Sequence, residues 1–237
     1  MNVKETAKSA FLNNAGHFRG FEHLITKLSG WTRLSRWHLE HVSSVSRFGN
    51  PAKPSYDDRL LLWQSVISSQ DLNVCPLDYL EFGVYGGNSF RWWAEHIGRP
   101  DARFVGFDTF TGLPRSGWND CPVGTFDVEG RAPEINDSRC TFEVGLFQDT
   151  LPRFLSRFVR NGQRVIVNMD ADIYSSTLFV LASIASVLRP RDVLLFDEFL
   201  DPLHEFRAFE DFCEGYGLKY EVLGTTVDLN RVCLMVK

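Results

Sequence analysis

The stretch Tyr79-Leu80-Glu81-Phe82-Gly83-Val84-Tyr85-Gly86-Gly87-Asn88-Ser89 decides the fold of this chain. An apolar run ends in an acid, a glycine turn follows, and a helix can begin at Asn88 or Ser89. Glycine lets the backbone approach a ligand closely, and a helix start offers N–H groups with no partner inside the helix. The stretch is neither G-x-G-x-x-G nor a P-loop with its lysine, which argues against a dinucleotide pyrophosphate. It suits a ligand with an uncharged backbone, such as a nucleoside bearing an amino-acid tail.

Outward from this turn, short apolar runs bounded by turn residues recur at 78–82, 103–107, 141–146, 164–169, 192–196 and 231–236. Helical segments lie between most of them, at 89–97, 150–160, 175–188 and 204–216. Strands alternating with helices predict an α/β fold, a doubly wound, Rossmann-like, mostly parallel seven-stranded sheet with helices on both faces. Residues 112–138 are rich in Gly, Pro and Asp and lack periodicity, the pattern of a functional lid or a disordered loop.

Two further groups of residues carry chemistry. The run Phe104-Val-Gly-Phe-Asp108-Thr-Phe110 ends in an acid 21 residues after Gly87. In a doubly wound sheet this sets a carboxylate beside the glycine turn, where ribose hydroxyls can be bound. Asp170 and Asp172 close one apolar run, and Asp197 and Glu198 close another. On adjacent parallel strands these acids converge and repel unless protons or a cation intervene, and hard oxygen ligands suit Mg²⁺. Asp172 is expected to orient Tyr174 and the helix that follows. His204 is expected at a solvated first-turn position, and Trp92-Trp93 in a core or arm-packing surface.

The strings EFGVYGG, FVGFDTFTGLP, GLFQDTLP, MDADIYSST and FDEF, in this order and spacing from about Tyr79 to the C-terminus, resemble the macrocin and mycinamicin sugar O-methyltransferases. These belong to the class I S-adenosylmethionine-dependent methyltransferases. The resemblance implies transfer of a methyl group from S-adenosylmethionine to a hydroxyl of a small molecule, plausibly a sugar of a glycosylated natural product. It implies that Glu81, Gly83 and Gly87 shape the methionine end of the cofactor site, with Tyr85, Asn88 and Ser89 in the same turn. Asp108 falls on the ribose and Phe110 near the adenine, where Leu146, Phe147 or Gln148 completes the contact. Asp170, Asp197 and Glu198 match the family's metal positions, which implies a Mg²⁺ ion, and Asp170 also matches its proposed base. The family commonly carries two aspartates where this chain has Asp197-Glu198.

The chain has 237 residues, 44% hydrophobic, with 25 Lys/Arg against 30 Asp/Glu. That is room for one α/β domain over residues 57–237 behind a helical N-terminal arm and linker over 1–56. The net charge of −5 offers no electrostatic footprint for nucleic acid. Residues 1–50 carry seven Lys/Arg and three Asp/Glu, and Phe21, Leu24, Ile25, Leu28, Trp31 and Leu34 recur at helical steps from Phe18 to Val45, with Gly30 as a possible break. The arm covers the pocket, contacts a second copy in a homo-oligomer, or lies on a membrane surface. Five cysteines without a C-x-x-C pair, no signal-peptide pattern and no spanning apolar stretch point to a reduced, cytoplasmic protein. Two rival readings stand beside the methyltransferase. Asp170-Ala-Asp172 also reads as the D-x-D of a glycosyltransferase, against which the glycine turn argues. The other rival is a cofactor-binding assembly partner without catalysis.

Overall fold

A computed structural model describes residue 9 and residues 15–116, 121–160 and 164–237. Eight strands form one sheet: β1 (Arg47–Phe48), β2 (Leu77–Phe82), β3 (Arg103–Asp108), β4 (Cys140–Val144), β5 (Arg164–Met169), β6 (Val193–Phe196), β7 (Tyr220–Thr226) and β8 (Val232–Val236). Their order is β1-β7-β8-β6-β5-β2-β3-β4, parallel throughout except for β8, which runs antiparallel to both neighbours. The doubly wound, mostly parallel sheet is as expected, with eight strands in place of seven. The central strands β2 and β5 are buried along their whole length, which is why they read as continuous apolar runs.

Helices α1 (Ala15–His41), α2 (Asp58–Ser69), α3 (Asn88–His96), α4 (Phe147–Arg157), α5 (Tyr174–Ile184) and α6 (Glu205–Tyr216) flank the sheet. Side chains alternate along β2, so Leu80 and Phe82 join one core while Leu77 and Tyr79 join the other. The first core is closed by α4, α5 and α6 and by Leu34 and Trp37 of α1. The second is closed by Leu62, Trp63 and Val66 of α2 and by Phe90 and Trp93 of α3. Trp93 is fully buried and meets Trp63 and Tyr79, so the tryptophan pair is core.

Two strands depart from the sequence reading. Strand β7 carries Gly224 at a register shift opposite β8, and this irregularity hides its alternation. A Cβ on Gly224 would lie 2.7 Å from Leu62 Cδ1, so close packing against α2 favours glycine there. The two-residue β1 adds to the sheet edge through Arg47↔Thr225 and Phe48↔Thr226, too short to leave a pattern.

The arm helix also differs. It runs unbroken through Gly30, where a Cβ would come within 2.8 Å of the Pro202 carbonyl oxygen. Glycine serves close approach here and does not end the helix. At about 1.5 Å per residue the 27 residues span about 40 Å, longer than the surface that receives them. Only the C-terminal half docks: Leu34 and Trp37 are buried, Trp37 Nε1 donates to Tyr220 Oη at 2.8 Å, and Arg33 pairs with Glu210 at 3.0 Å. Phe21, Leu24, Ile25 and Leu28 stay exposed. The side chains of His17 and His23 and residues 117–120 of the long loop lie outside the described residues. Helix α2 turns Leu62, Trp63, Val66 and Ile67 inward, packs Leu60 partly buried against the second core and leaves Leu61 in solvent. Among the described residues, no helix is long and apolar enough to cross a membrane, and all five cysteines are free.

Candidate functional site

The chain leaves β2 on one side of the sheet, through β3 and β4, and returns to the other side at β5. The carboxyl ends of β2 and β5 therefore flank the switch point where such sheets bind ligands. A cavity of about 390 Å³ opens there, within the range of small-molecule sites. The two strand ends touch at Gly83, whose φ of +94° and whose missing Cβ admit the Asp170 carbonyl: a Cβ would lie 1.7 Å from that oxygen.

The residues expected to hold the cofactor divide into two sets. Gly83, Tyr85, Asp108 and Gln148 line the cavity, with Leu146 and Phe147 beside Gln148. Glu81, Ser89 and Phe110 lie behind the wall. Glu81 is fully buried, accepts from Ser89 Oγ at 2.6 Å and forms a short hydrogen bond with the Tyr79 hydroxyl. Phe110 is fully buried against Phe142 and does not face the cavity. Gly87, at a φ of +76°, precedes α3 and backs onto Pro133, while Asn88 is exposed outside the cavity. Glu81, Ser89 and Phe110 thus back the turn from inside the fold, and Gly87 and Asn88 lead into α3 beside it.

Asp108 is already engaged. Its Oδ2 accepts from the Val84 and Tyr85 amides at 2.7 and 2.8 Å, and Oδ1 accepts from the Phe110 amide at 2.8 Å. A carboxylate offers about four lone-pair sites, so Asp108 clamps the glycine turn onto β3 while also lining the cavity.

Burial drives the Glu81 carboxyl up to about 7, against the hydrogen bonds from Ser89, Tyr79 and Asn168 that favour its charge. A carboxyl raised on folding stabilises the protein fully below its unfolded value, near 4.5, and that contribution is lost as pH rises to about 7. At 1.36 kcal/mol per unit this amounts to about 3 kcal/mol. Glu81→Gln is therefore expected to flatten that share of the fall in urea-unfolding stability between pH 5 and 8. An identical pH slope in wild type and variant would refute it.

The acids form the floor. Oxygens of Asp170, Asp172 and Glu198 lie within 4.8 Å of one another. Among the described residues none of the three is ion-paired, and Glu198 Oε2 is buried without a hydrogen-bond partner. Asp172 is raised to about 7 by burial, then by Asp197 and Asp108. Asp170 and Glu198 are raised well above the carboxylate range by burial and by the surrounding acids. Three crowded carboxyls with no ion-pair partner of their own favour protons or a cation, with the Arg231 charge felt at Glu198 from beside Asp197.

Asp197 lines the cavity with Asp170 and Glu198 and is ion-paired there. Arg59 lies at 3.4 Å and Arg231 at 3.2 Å from its carboxylate, all three buried. Two guanidiniums pair with it; it lines the same cavity, and its oxygens fall outside the group within 4.8 Å. Asp172 belongs to the close group instead, and among the described residues it makes no hydrogen bond to Tyr174, whose amide donates to His204 Nδ1 at 3.3 Å and whose hydroxyl donates to Asp211 at 2.9 Å. His204 lies outside the cavity, ahead of α6.

Tyr56 and Arg231 also line the cavity and carried no signal in the sequence. The guanidinium carbons of Arg59 and Arg231 sit 3.7 and 4.7 Å from the Tyr56 ring centroid. Burial, with Asp197 and Asp170 nearby, raises the Tyr56 phenol above its ordinary value. The long loop is folded in its described parts: the Leu113 amide donates to the Thr125 carbonyl, the Gly124 amide donates to the Leu113 carbonyl, and Gly112, Leu113, Pro114 and Phe126 line the cavity.

Comparison with known proteins agrees with this geometry. A family model described as a methyltransferase domain matches residues 80–199. The 8-demethyl-8-(2,3-dimethoxy-alpha-L-rhamnosyl)-tetracenomycin-C 4'-O-methyltransferase of Streptomyces olivaceus is 25% identical over 210 residues, covering 69% of this chain and 77% of the relative. The crystal structure of the calicheamicin methyltransferase CalS11 aligns with a TM-score of 0.59 at 24% identity, over 75% of this chain and 78% of that one. The O-methyltransferase NovP aligns with a TM-score of 0.56 at 21% identity, over 75% and 78%. Both structures share the fold. The match across half the chain, centred on the glycine turn and both acid-bearing strand ends, means that this chain belongs to the methyltransferase-domain family, as an S-adenosylmethionine-dependent enzyme of the class I fold.

Proposed function

We propose that the protein moves the methyl group of S-adenosylmethionine to a hydroxyl oxygen of a sugar on a glycosylated small molecule, with Asp170 as the base and a divalent ion held by Asp170, Asp172 and Glu198. The observation that carries this reading is the trio of crowded carboxyls on the cavity floor, next to the glycine turn at the switch point. The Streptomyces olivaceus relative, named as a rhamnosyl 4'-O-methyltransferase, supports a sugar acceptor.

The fit to a hard cation rests on the orphaned Glu198 Oε2, on the close spacing of three oxygen donors and on their raised affinity for positive charge. Bound S-adenosylmethionine supplies an electrophilic methyl group, and a bound Mg²⁺ supplies positive charge that acidifies the acceptor hydroxyl. Gly83, Tyr85 and Asp108 hold the reactants in line, which supplies much of the rate. Asp170 takes the hydroxyl proton as the oxygen–methyl bond forms and the sulfur–methyl bond breaks. Leu113, Pro114 and Phe126 at the rim exclude water. Asp197 keeps Arg59 and Arg231 beside the floor, where their charge steadies the developing anion.

A D-x-D glycosyltransferase is not favoured, because the family match covers the Asp170–Asp172 turn within a methyltransferase domain. The deciding assay incubates the protein, Mg²⁺ and methyl-labelled S-adenosylmethionine with a panel of deoxysugar glycosides and sugar nucleotides. Label is expected in an acid-stable methyl ether on the sugar. Label confined to nitrogen, sulfur or phenolic acceptors would defeat the sugar-hydroxyl reading.

A further inference from the structure

Glu205 is the first residue of α6, fully buried, and outside the cavity. Among the described residues it has no ion-pair partner. A buried carboxylate without a cation is costly, so its contacts define its use. Oε1 accepts from the Ala171 amide at 3.3 Å, and Oε2 accepts from the Glu198 amide at 3.0 Å. Ala171 stands between Asp170 and Asp172, so one carboxylate holds the backbone of all three acids on the floor. Burial, with Asp172 and Asp197 nearby, pushes the Glu205 carboxyl well above its ordinary range, against the Glu198 and Ala171 amides that favour its charge.

The need for such a tie follows from the sheet. Strands β5 and β6 end their pairing at Met169↔Phe196, and one further bond, from the Asp197 amide to the Met169 carbonyl, closes the ladder. Past that point the two turns carry mutually repelling carboxyls and diverge unless joined. Among the described residues no other hydrogen bond connects the 170–172 turn to Glu198. Both oxygens of a five-atom side chain are used, and neither alanine nor a shorter acid spans the same gap.

We propose that Glu205 is a positioning residue that sets the separation of the two acid-bearing turns, and with it the geometry of the cation site and of the Asp170 base. The inference rests on the reading that the trio holds a divalent ion. Its test uses the full-length chain, with Mn²⁺ binding followed by electron paramagnetic resonance and S-adenosylhomocysteine binding by calorimetry. Glu205→Gln keeps the size but turns an N–H₂ group toward one of the two amides. It is expected to weaken Mn²⁺ by about 10–100-fold, as loss of a residue that orients metal ligands does, with S-adenosylhomocysteine affinity unchanged. Glu205→Asp, which keeps the carboxyl group but not the reach, is expected to do the same. Wild-type Mn²⁺ affinity in both variants overturns the proposal. So does parallel loss of Mn²⁺ and S-adenosylhomocysteine binding, which marks a general packing role. If the wild type itself binds no Mn²⁺, the metal reading fails and Glu205 is judged by turnover: a lower kcat at unchanged KM for S-adenosylmethionine supports positioning, and an unchanged kcat overturns it.

Discussion

Asp170→Asn is expected to slow methyl transfer by at least about a hundredfold, the contribution of a well-placed general base. The substitution keeps the size of the side chain and removes its charge and basicity. Asp170 closes β5, lines the cavity floor and shares the space within 4.8 Å with Asp172 and Glu198. Its backbone, through the amide to Phe82 and the carbonyl packed on Gly83, remains in place. S-adenosylhomocysteine affinity should therefore change little while kcat falls. The same preparation tests the ion: EDTA is expected to silence the wild type and Mg²⁺ to restore it. Full activity of metal-free enzyme would remove the ion from the mechanism, and near-normal kcat in Asp170→Asn would remove the base.

Gly83→Ala is expected to be the most damaging single-atom change in the protein. The residue sits at a φ of +94°, and its added Cβ would lie 1.7 Å from the Asp170 carbonyl oxygen and 2.7 Å from the carbonyl carbon. Both are backbone atoms of a central strand end, so no side-chain rotation relieves the overlap. A strained backbone costs about 1–3 kcal/mol, and overpacking adds about 1–3 kcal/mol more. Unfolding in urea should show a loss of about 2–6 kcal/mol by those same two contributions, with S-adenosylhomocysteine binding lost in whatever remains folded. Gly86→Ala is the matched control, because nothing lies within 4 Å of a Cβ there. Equal stability of Gly83→Ala and wild type would show that the strand ends do not touch as described.

The two substitutions probe one contact from its two sides, which is why they are separable. Gly83 decides whether β2 and β5 can meet, and Asp170 decides what happens where they meet. Glu205 acts on a third side, holding the 170–172 turn to the end of β6.

Local chemistry was legible in the chain itself. The run of apolar residues at β2 and at β5, each ending in an acid or a glycine turn, states a buried parallel strand, since only full burial on both faces removes alternation. The glycine turn, Asp108 and the acids at 170, 172, 197 and 198 were visible because strand ends in such sheets point to one crevice. What a side chain does after reaching that crevice is set by partners distant in sequence. Asp197 and Glu198 are neighbours in the chain, yet Arg59 and Arg231, 138 and 34 residues from Asp197, claim the first and leave the second without a partner. Asp108 reads as a ribose acceptor, and only the structure shows that its carboxylate also ties down three backbone amides of the turn. Gly30 reads as a helix break until Pro202 is seen to fill the space its side chain would need. Periodicity and turn chemistry are properties of adjacent residues, so the sequence by itself determined the elements, their order and the end of the sheet that carries the site. The pairing of buried charges depends on which distant strands and helices converge, and only the tertiary structure decided that.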